Sequence, residues 1–463
     1  MIKLYDRSIS TFRENGKTIG LIGLTIPLLL ENLFVLLYGT VSTLILSGYA
    51  DAAVSAAGVA QQVVNIAIAV LNMVSKGTVI ISSIALGAKN LAKVRTAAGT
   101  GLVLAVGVSA LIGLGICGGA APLMRLMNLK GEVHGLAADY LRIAGLTFPL
   151  TAAMSYVNNL LICHGYSRIS MLSGIVSNVL NLLLCYLALY GGVSLSVSGV
   201  RAVALCGAAA QLAGLLLSGF FFVRKRCPFR FCFQGRLGWD ILRLGAPAGM
   251  SIVSYTFSQM VTTGFITGLG IAVINTKLYV TNIVTYTSRI SYSLGNAGGI
   301  LMGRHRGAQR LDLVKRLYRQ DLLLALLCNG TVSLLVLALH TPLLSIFTHD
   351  PEILSAAAKI MAIDFFVELP RAVNHVSENS FNANGDVKTP LVTSIASGWG
   401  CNVLFSWLLA VVLGWGLPGI WVASILDEAF KATVYLLRWK SGKWQSARVL
   451  RNRYIQGGNY ENL

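Results

Sequence analysis

Charge is scarce in this 463-residue chain, where Asp, Glu, Lys and Arg together make up 12%. A soluble domain carries about 25%, and a soluble chain of this length could not cover its surface with so little. The 55% of hydrophobic residues excludes a disordered chain. Motifs for common chemistry are absent too. There is no phosphate-cradling glycine loop, which excludes a built-in ATP motor of the usual kind. Neither H-E-x-x-H nor G-x-S-x-G occurs. Cys227 and Cys232 form a lone C-x4-C in a basic stretch, with too few ligands for zinc. The other cysteines lie in or beside apolar segments, where small buried thiols are ordinary. Negative charge is the scarcer sign, with 18 Asp+Glu against 37 Lys+Arg.

What is present is apolar sequence in long runs, with a mean hydropathy of +0.69. Twelve segments fall at 19–46, 53–82, 97–119, 136–162, 169–190, 199–223, 241–267, 272–302, 320–340, 355–382, 389–413 and 417–438. Each approaches or exceeds the roughly 20 residues that cross a bilayer. The first is too long for a cleaved leader and reads as a retained span. The basic residues sort onto one side: about 27 Lys and Arg fall in one set of loops and termini, against about five in the opposite set. This asymmetry predicts that both termini are cytoplasmic. Lys76 and Lys431 are expected near helix ends, with their amines reaching toward water.

An offset of 220 residues aligns the chain with itself. It superposes Pro27 on Pro247, Gly87-Ala88 on Gly307-Ala308, Pro122-Leu123 on Pro342-Leu343, Asn159 on Asn379 and Gly165 on Gly385. With only ten prolines, two pairs at one offset mark a genuine repeat. The predicted fold is an all-α membrane protein, its twelve transmembrane helices forming two pseudo-symmetric six-helix lobes. The predicted organisation is an N-lobe over 1–223, a cytoplasmic linker over 224–240, a C-lobe over 241–440 and a cytoplasmic tail over 441–463.

Polar residues inside spans cost free energy and need a reason. The tenth span is the outlier. Asp364, Glu368, Arg371, His375, Glu378 and Asn382 fall within roughly an 80° stripe of one helix. Such a face cannot meet lipid. It is read either as a structural ion-pair network or as a cation or proton coupling site made of Asp364, Glu368, Arg371, His375 and Glu378. The repeat positions in the fourth span are Ala144, Phe148, Thr151, Ser155 and Asn158, so the scaffold does not itself demand charge there. Glu31 is the one acid in the first span, with Tyr38 and Ser42 on its face. Glu31, Tyr38, Gln61, Asn65, Asn178, Tyr255, Gln259, Tyr286, Arg289, Asn374 and Asn379 are candidates for a substrate cavity, although polar side chains in spans often only join helices. Arg289 is a candidate partner for Glu31 or for the acids of the tenth span.

Pro27, the polar helix ending in Leu46-Ser47-Gly48-Tyr49, and the Ala52–Gly58 segment resemble the first hairpin of multidrug and toxic compound extrusion (MATE) transporters. Gly87-Ala88-Lys89, its repeat Gly307-Ala308-Gln309, and Asn384-Gly385-Asp386 are similar to that family's loops. The resemblance covers about residues 17–440. It implies a V-shaped twelve-helix antiporter that expels small organic, often cationic, compounds in exchange for H⁺ or Na⁺. It implies no enzyme activity, no cofactor beyond the coupling ion and no nucleic-acid partner. The expected setting is the lipid bilayer of the plasma membrane, as a monomer. Ser42 holds the place of the family's first-span acid, and no acid stands near Gln259, so coupling is expected in the C-lobe. The rival readings are a flippase of lipid-linked saccharides, a major facilitator transporter and a membrane-embedded enzyme.

Overall fold

The computed structural model describes residues 6, 8–14, 17–47, 51–127, 131–190, 199–266 and 271–446. Of the first hairpin, Gly48 and Tyr49 lie outside the described residues. An antiparallel pair of strands, β1 (Thr11–Glu14) and β2 (Lys17–Gly20), precedes the helices. The first six helices are α1 (Leu21–Ser47), α2 (Asp51–Gly87), α3 (Leu91–Leu126), α4 (Gly131–Cys163), α5 (Ser167–Tyr190) and α6 (Gly199–Arg224). The next six are α7 (Gly235–Ile266), α8 (Ile271–Gly307), α9 (Leu311–Ala338), α10 (Pro351–Ala383), α11 (Lys388–Val412) and α12 (Leu417–Lys440). Two π-helical stretches, Gly398–Val403 and Trp407–Val412, lie inside α11.

The 220-residue repeat is visible in the helix bounds. Asp51–Gly87 recurs as Ile271–Gly307, and Gly131–Cys163 recurs as Pro351–Ala383. Backbone details recur as well: Lys89 and Gln309 have φ of 58° and 59°, and Gly165 and Gly385 have φ of 78° and 83°. The glycines before the first pair serve another purpose. A Cβ on Gly307 would strike the carbonyl oxygen of Ile84, and one on Gly87 would strike that of Arg304. Gly87 and Gly307 are therefore needed for close helix approach, while the left-handed residue that ends each helix is Lys89 or Gln309.

Backbone contacts divide the chain into two compact units, residues 1–29, 83–89 and 247–463, and residues 30–82 and 90–246. In the first unit α10 packs against α8, α9 and α12. Its apolar core includes Val280, Ile283, Ile360, Val367 and Trp421. In the second unit α4 packs against α3 and α6, around Ile116, Leu141 and Phe148. Large apolar side chains such as Leu111 and Leu114 are exposed on the outer helix faces, as expected where lipid replaces water.

Among the described residues, eight helices are long and apolar enough to cross a membrane by length and composition: α1 to α6, α9 and α11. The four long helices below that threshold, α7, α8, α10 and α12, all belong to the second repeat.

Candidate functional site

Helix α10 starts where its sequence says it should. Asp350 caps it by accepting from the Glu352 amide at 2.9 Å, and Pro351 takes the first helical position. From this start the polar stripe turns toward α8, α9 and α12. Asp364 and Glu368 are buried, and so is Asn374. Asp364 accepts from the Trp421 indole at 2.9 Å. Glu368 pairs with Arg371 and accepts from Asn329 Nδ2 at 2.9 Å.

The network continues into α12 through residues that the tenth-span stripe did not reveal. Glu428 accepts from Asn374 Nδ2 at 2.6 Å and lies 3.5 Å from Arg371 Nε. Lys431 Nζ lies 3.0 Å from Asp427 and 3.3 Å from Glu428. The expectation that Lys431 sits near a helix end with its amine in water is therefore corrected. It is buried, because two carboxylates on its own helix hold it. Asp427 and Glu428 stand four and three residues before Lys431 on one helix face, a spacing that permits the contacts without reporting their depth. Four buried carboxylates (Asp364, Glu368, Asp427 and Glu428) thus share two cations, Arg371 and Lys431.

The first repeat shows what the same frame does without charge. The positions 220 residues before Arg371 and Lys431 are Thr151 and Gln211, and these two hydrogen-bond to each other. Those matching Asp364 and Glu368 are Ala144 and Phe148. One architecture therefore holds a neutral contact in one repeat and an ionic network in the other.

The remaining candidates are scattered. His375 pairs with Ser291 Oγ at 3.0 Å, and its ring meets Tyr292 edge-on. Glu378 is half-buried, and Asn379 donates to the His375 carbonyl at 2.8 Å. Arg289 lies over the Tyr292 ring, 5.9 Å from its centre. The cation that the α10 acids do meet is Arg371, from their own helix. Tyr255 is exposed in part and faces the Lys431 amine at 5.7 Å. The Gln259 carbonyl accepts from Thr263 at 2.7 Å. Tyr286 and Asn178 are half-buried and make no side-chain hydrogen bond among the described residues. In the other unit, Glu31 accepts from Ser170 at 3.2 Å and sits against Gly174. Tyr38 accepts from Asn181 at 2.8 Å, and Gln61 bridges Asn65 and Tyr140. These polar contacts join helices within that unit.

One contact offers an early check. Trp421→Phe keeps the aromatic packing and removes the hydrogen bond to Asp364. A bond to a charged group contributes about 1.5–3 kcal/mol, so thermal unfolding in detergent should shift down measurably. The shift should vanish in an Asp364→Ala background, which has no acceptor for the indole, if the bond is its origin.

Two repeats of long helices, the second burying an ionic network of its own, are the frame of a polytopic membrane transporter. The MatE family model matches residues 27–187 and 247–408, one stretch in each repeat, and the chain belongs to that family. It is 28% identical over 448 residues to the uncharacterized transporter YisQ of Bacillus subtilis, covering 95% of this chain and 97% of that one. It is 25% identical over 454 residues to the probable multidrug resistance protein NorM of Thermotoga maritima, covering 94% and 95%. Among solved structures, an outward-facing multidrug resistance MATE transporter of the MOP superfamily superposes with a TM-score of 0.85, at 18% identity and over 92% of this chain and 96% of that one. A MOP superfamily transporter from Pyrococcus furiosus, described as having a binding pocket of reversed polarity that suggests a different function, superposes with a TM-score of 0.84 over the same shares and at the same identity.

Proposed function

We propose that this chain is an efflux antiporter of the plasma membrane that exports organic cationic or amphiphilic compounds. It works by alternating access, as a monomer with both termini in the cytoplasm, and inward movement of H⁺ or Na⁺ drives it. The observation that carries this reading is the imbalance in the second repeat, where four buried carboxylates face two cations. Buried charge is costly unless it is compensated, so two carboxylates are left to be neutralised by protons, a metal cation or a cationic substrate. Competition for those carboxylates is what couples import of one cation to export of another. A flippase handling an anionic pyrophosphate would want the opposite balance.

The test is transport by the purified protein in vesicles with an imposed H⁺ or Na⁺ gradient and a fluorescent organic cation. Accumulation that collapses when the gradient is dissipated is the expected result. Equal transport without any gradient would exclude antiport.

A further inference from the structure

Outside the network just described, the second repeat buries further acids, among them Asp386, which pairs with Arg438 at 2.9 Å, and Asp321. Asp321 lies on α9, three turns from its start at Leu311, and is fully buried. Neither carboxylate oxygen has a hydrogen-bond partner among the described residues. The carboxyl occupies a notch in α8: a Cβ added to Gly298 would collide with Asp321 Oδ2 and lie 2.7 Å from its Cγ.

The ionisable groups on the surrounding helices are engaged elsewhere or point outward. On α9, Tyr318 pairs with Ser377 at 2.8 Å, while Lys315, Arg316 and Arg319 are exposed. On α8, Arg289 lies over Tyr292 and Arg304 over Phe12, His305 meets the Phe12 ring edge-on, and Arg306 donates to the Gln445 carbonyl at 2.6 Å. On α10, Glu368 meets Arg371, His375 meets Ser291, and Glu378 has interactions of its own. From α12, Trp439 stacks on Tyr318.

The first repeat supplies the comparison. The residues 220 positions before Asp321 and Gly298 are Gly101 and Thr78. There the glycine and the polar residue have exchanged helices, and a Cβ on Gly101 would collide with the hydroxyls of Thr78 and Tyr156. Both hydroxyls satisfy themselves on helix carbonyls, Thr78 on Val74 at 3.0 Å and Tyr156 on Ala98 at 2.8 Å. A hydroxyl can do this because it carries a donor, whereas an ionised carboxylate only accepts. Mid-helix amides are already engaged, so a carboxylate in this notch meets no donor. The neutral acid carries one O–H and can bond a carbonyl as the hydroxyls do. Nor do the described residues gather three His, Cys, Asp or Glu side chains that could hold a metal ion.

We propose that Asp321 is a proton-binding site of the second repeat, separate from the α10–α12 network, occupied as the neutral acid while α9 is docked in the Gly298 notch and exchanging its proton with water when that contact opens. The inference does not depend on which compound is exported. Infrared difference spectroscopy of the full chain in lipid, between acidic and alkaline buffer, reads it directly. The wild type should show the carbonyl band of a protonated carboxylic acid that Asp321→Asn lacks. The double variant Asp321→Gly, Gly298→Thr transplants the first-repeat arrangement. It should melt near the wild-type temperature and still lack the band, which separates packing from proton binding and serves where Asp321→Asn alone does not fold. Identical carboxylic-acid bands in the wild type and in a folded Asp321 variant would overturn the proposal. So would a wild-type spectrum in which Asp321 contributes only carboxylate bands. Failure of the vesicle assay would leave this spectrum unaffected.

Discussion

Vesicles carrying the double variant Asp364→Asn, Glu368→Gln are expected to export no more than protein-free vesicles under an imposed gradient, while the protein itself folds and inserts normally. The reason is the charge balance. Removing these two carboxylates leaves Asp427 and Glu428 against Arg371 and Lys431, so every remaining buried charge has a partner. Stability should hold, because removing one partner from a buried pair costs about 3–5 kcal/mol and here none of the remaining cations is stripped bare. The isosteric amides retain an oxygen for the Trp421 indole and for Asn329 Nδ2. What disappears is the excess negative charge that a proton or cation would neutralise. Ser42→Ala should be mild by comparison. Full export by the double variant, with membrane expression checked in parallel, would place coupling elsewhere, and Glu31 would be tested next.

The second large effect concerns glycine. Gly307→Ala should lower thermal stability, because its new methyl would drive into the Ile84 carbonyl and sit 2.9 Å from the Ala88 amide. Backbone cannot rotate aside as a side chain can, and overpacking of this kind costs about 1–3 kcal/mol or more. Gly107→Ala should do the opposite. No atom lies within 4 Å of a Cβ built there, and an alanine in mid-helix is favoured by roughly 0.5–1 kcal/mol. Melting curves of the two variants in the same detergent should move in opposite directions. A rise or no change for Gly307→Ala would show that the α2–α8 approach is softer than drawn.

The repeat was legible because prolines and glycines punctuate helices at fixed places, so Pro27 with Pro247 and Gly87 with Gly307 record the architecture directly. The α10 stripe was legible because a span with three carboxylates breaks the rule of apolar sequence. Residues contributed by other helices were not. Asp427, Glu428 and Lys431 have the right spacing to interact, yet spacing within one helix does not report depth, and only packing against α10 shows that they are interior. Asp321 was lost for a related reason. Hydropathy opens the ninth segment at residue 320, which puts this acid at an apparent end, whereas α9 begins at Leu311 and carries it well inside. The N-terminal strands gave no signal at all. They form where Phe12 meets His305 edge-on and the Arg304 guanidinium lies over the same ring, contacts nearly 300 residues away in the chain.

The paired approach of Gly87 to Arg304 and Gly307 to Ile84 has a bearing on ancestry. Arg304 and Ile84 are themselves 220 residues apart, so the contact is made of one patch meeting its own copy, as at the interface of a twofold homodimer. A half-length chain bearing one such patch would already be self-complementary. Joining two copies of such a chain would need no new interface, only a connection.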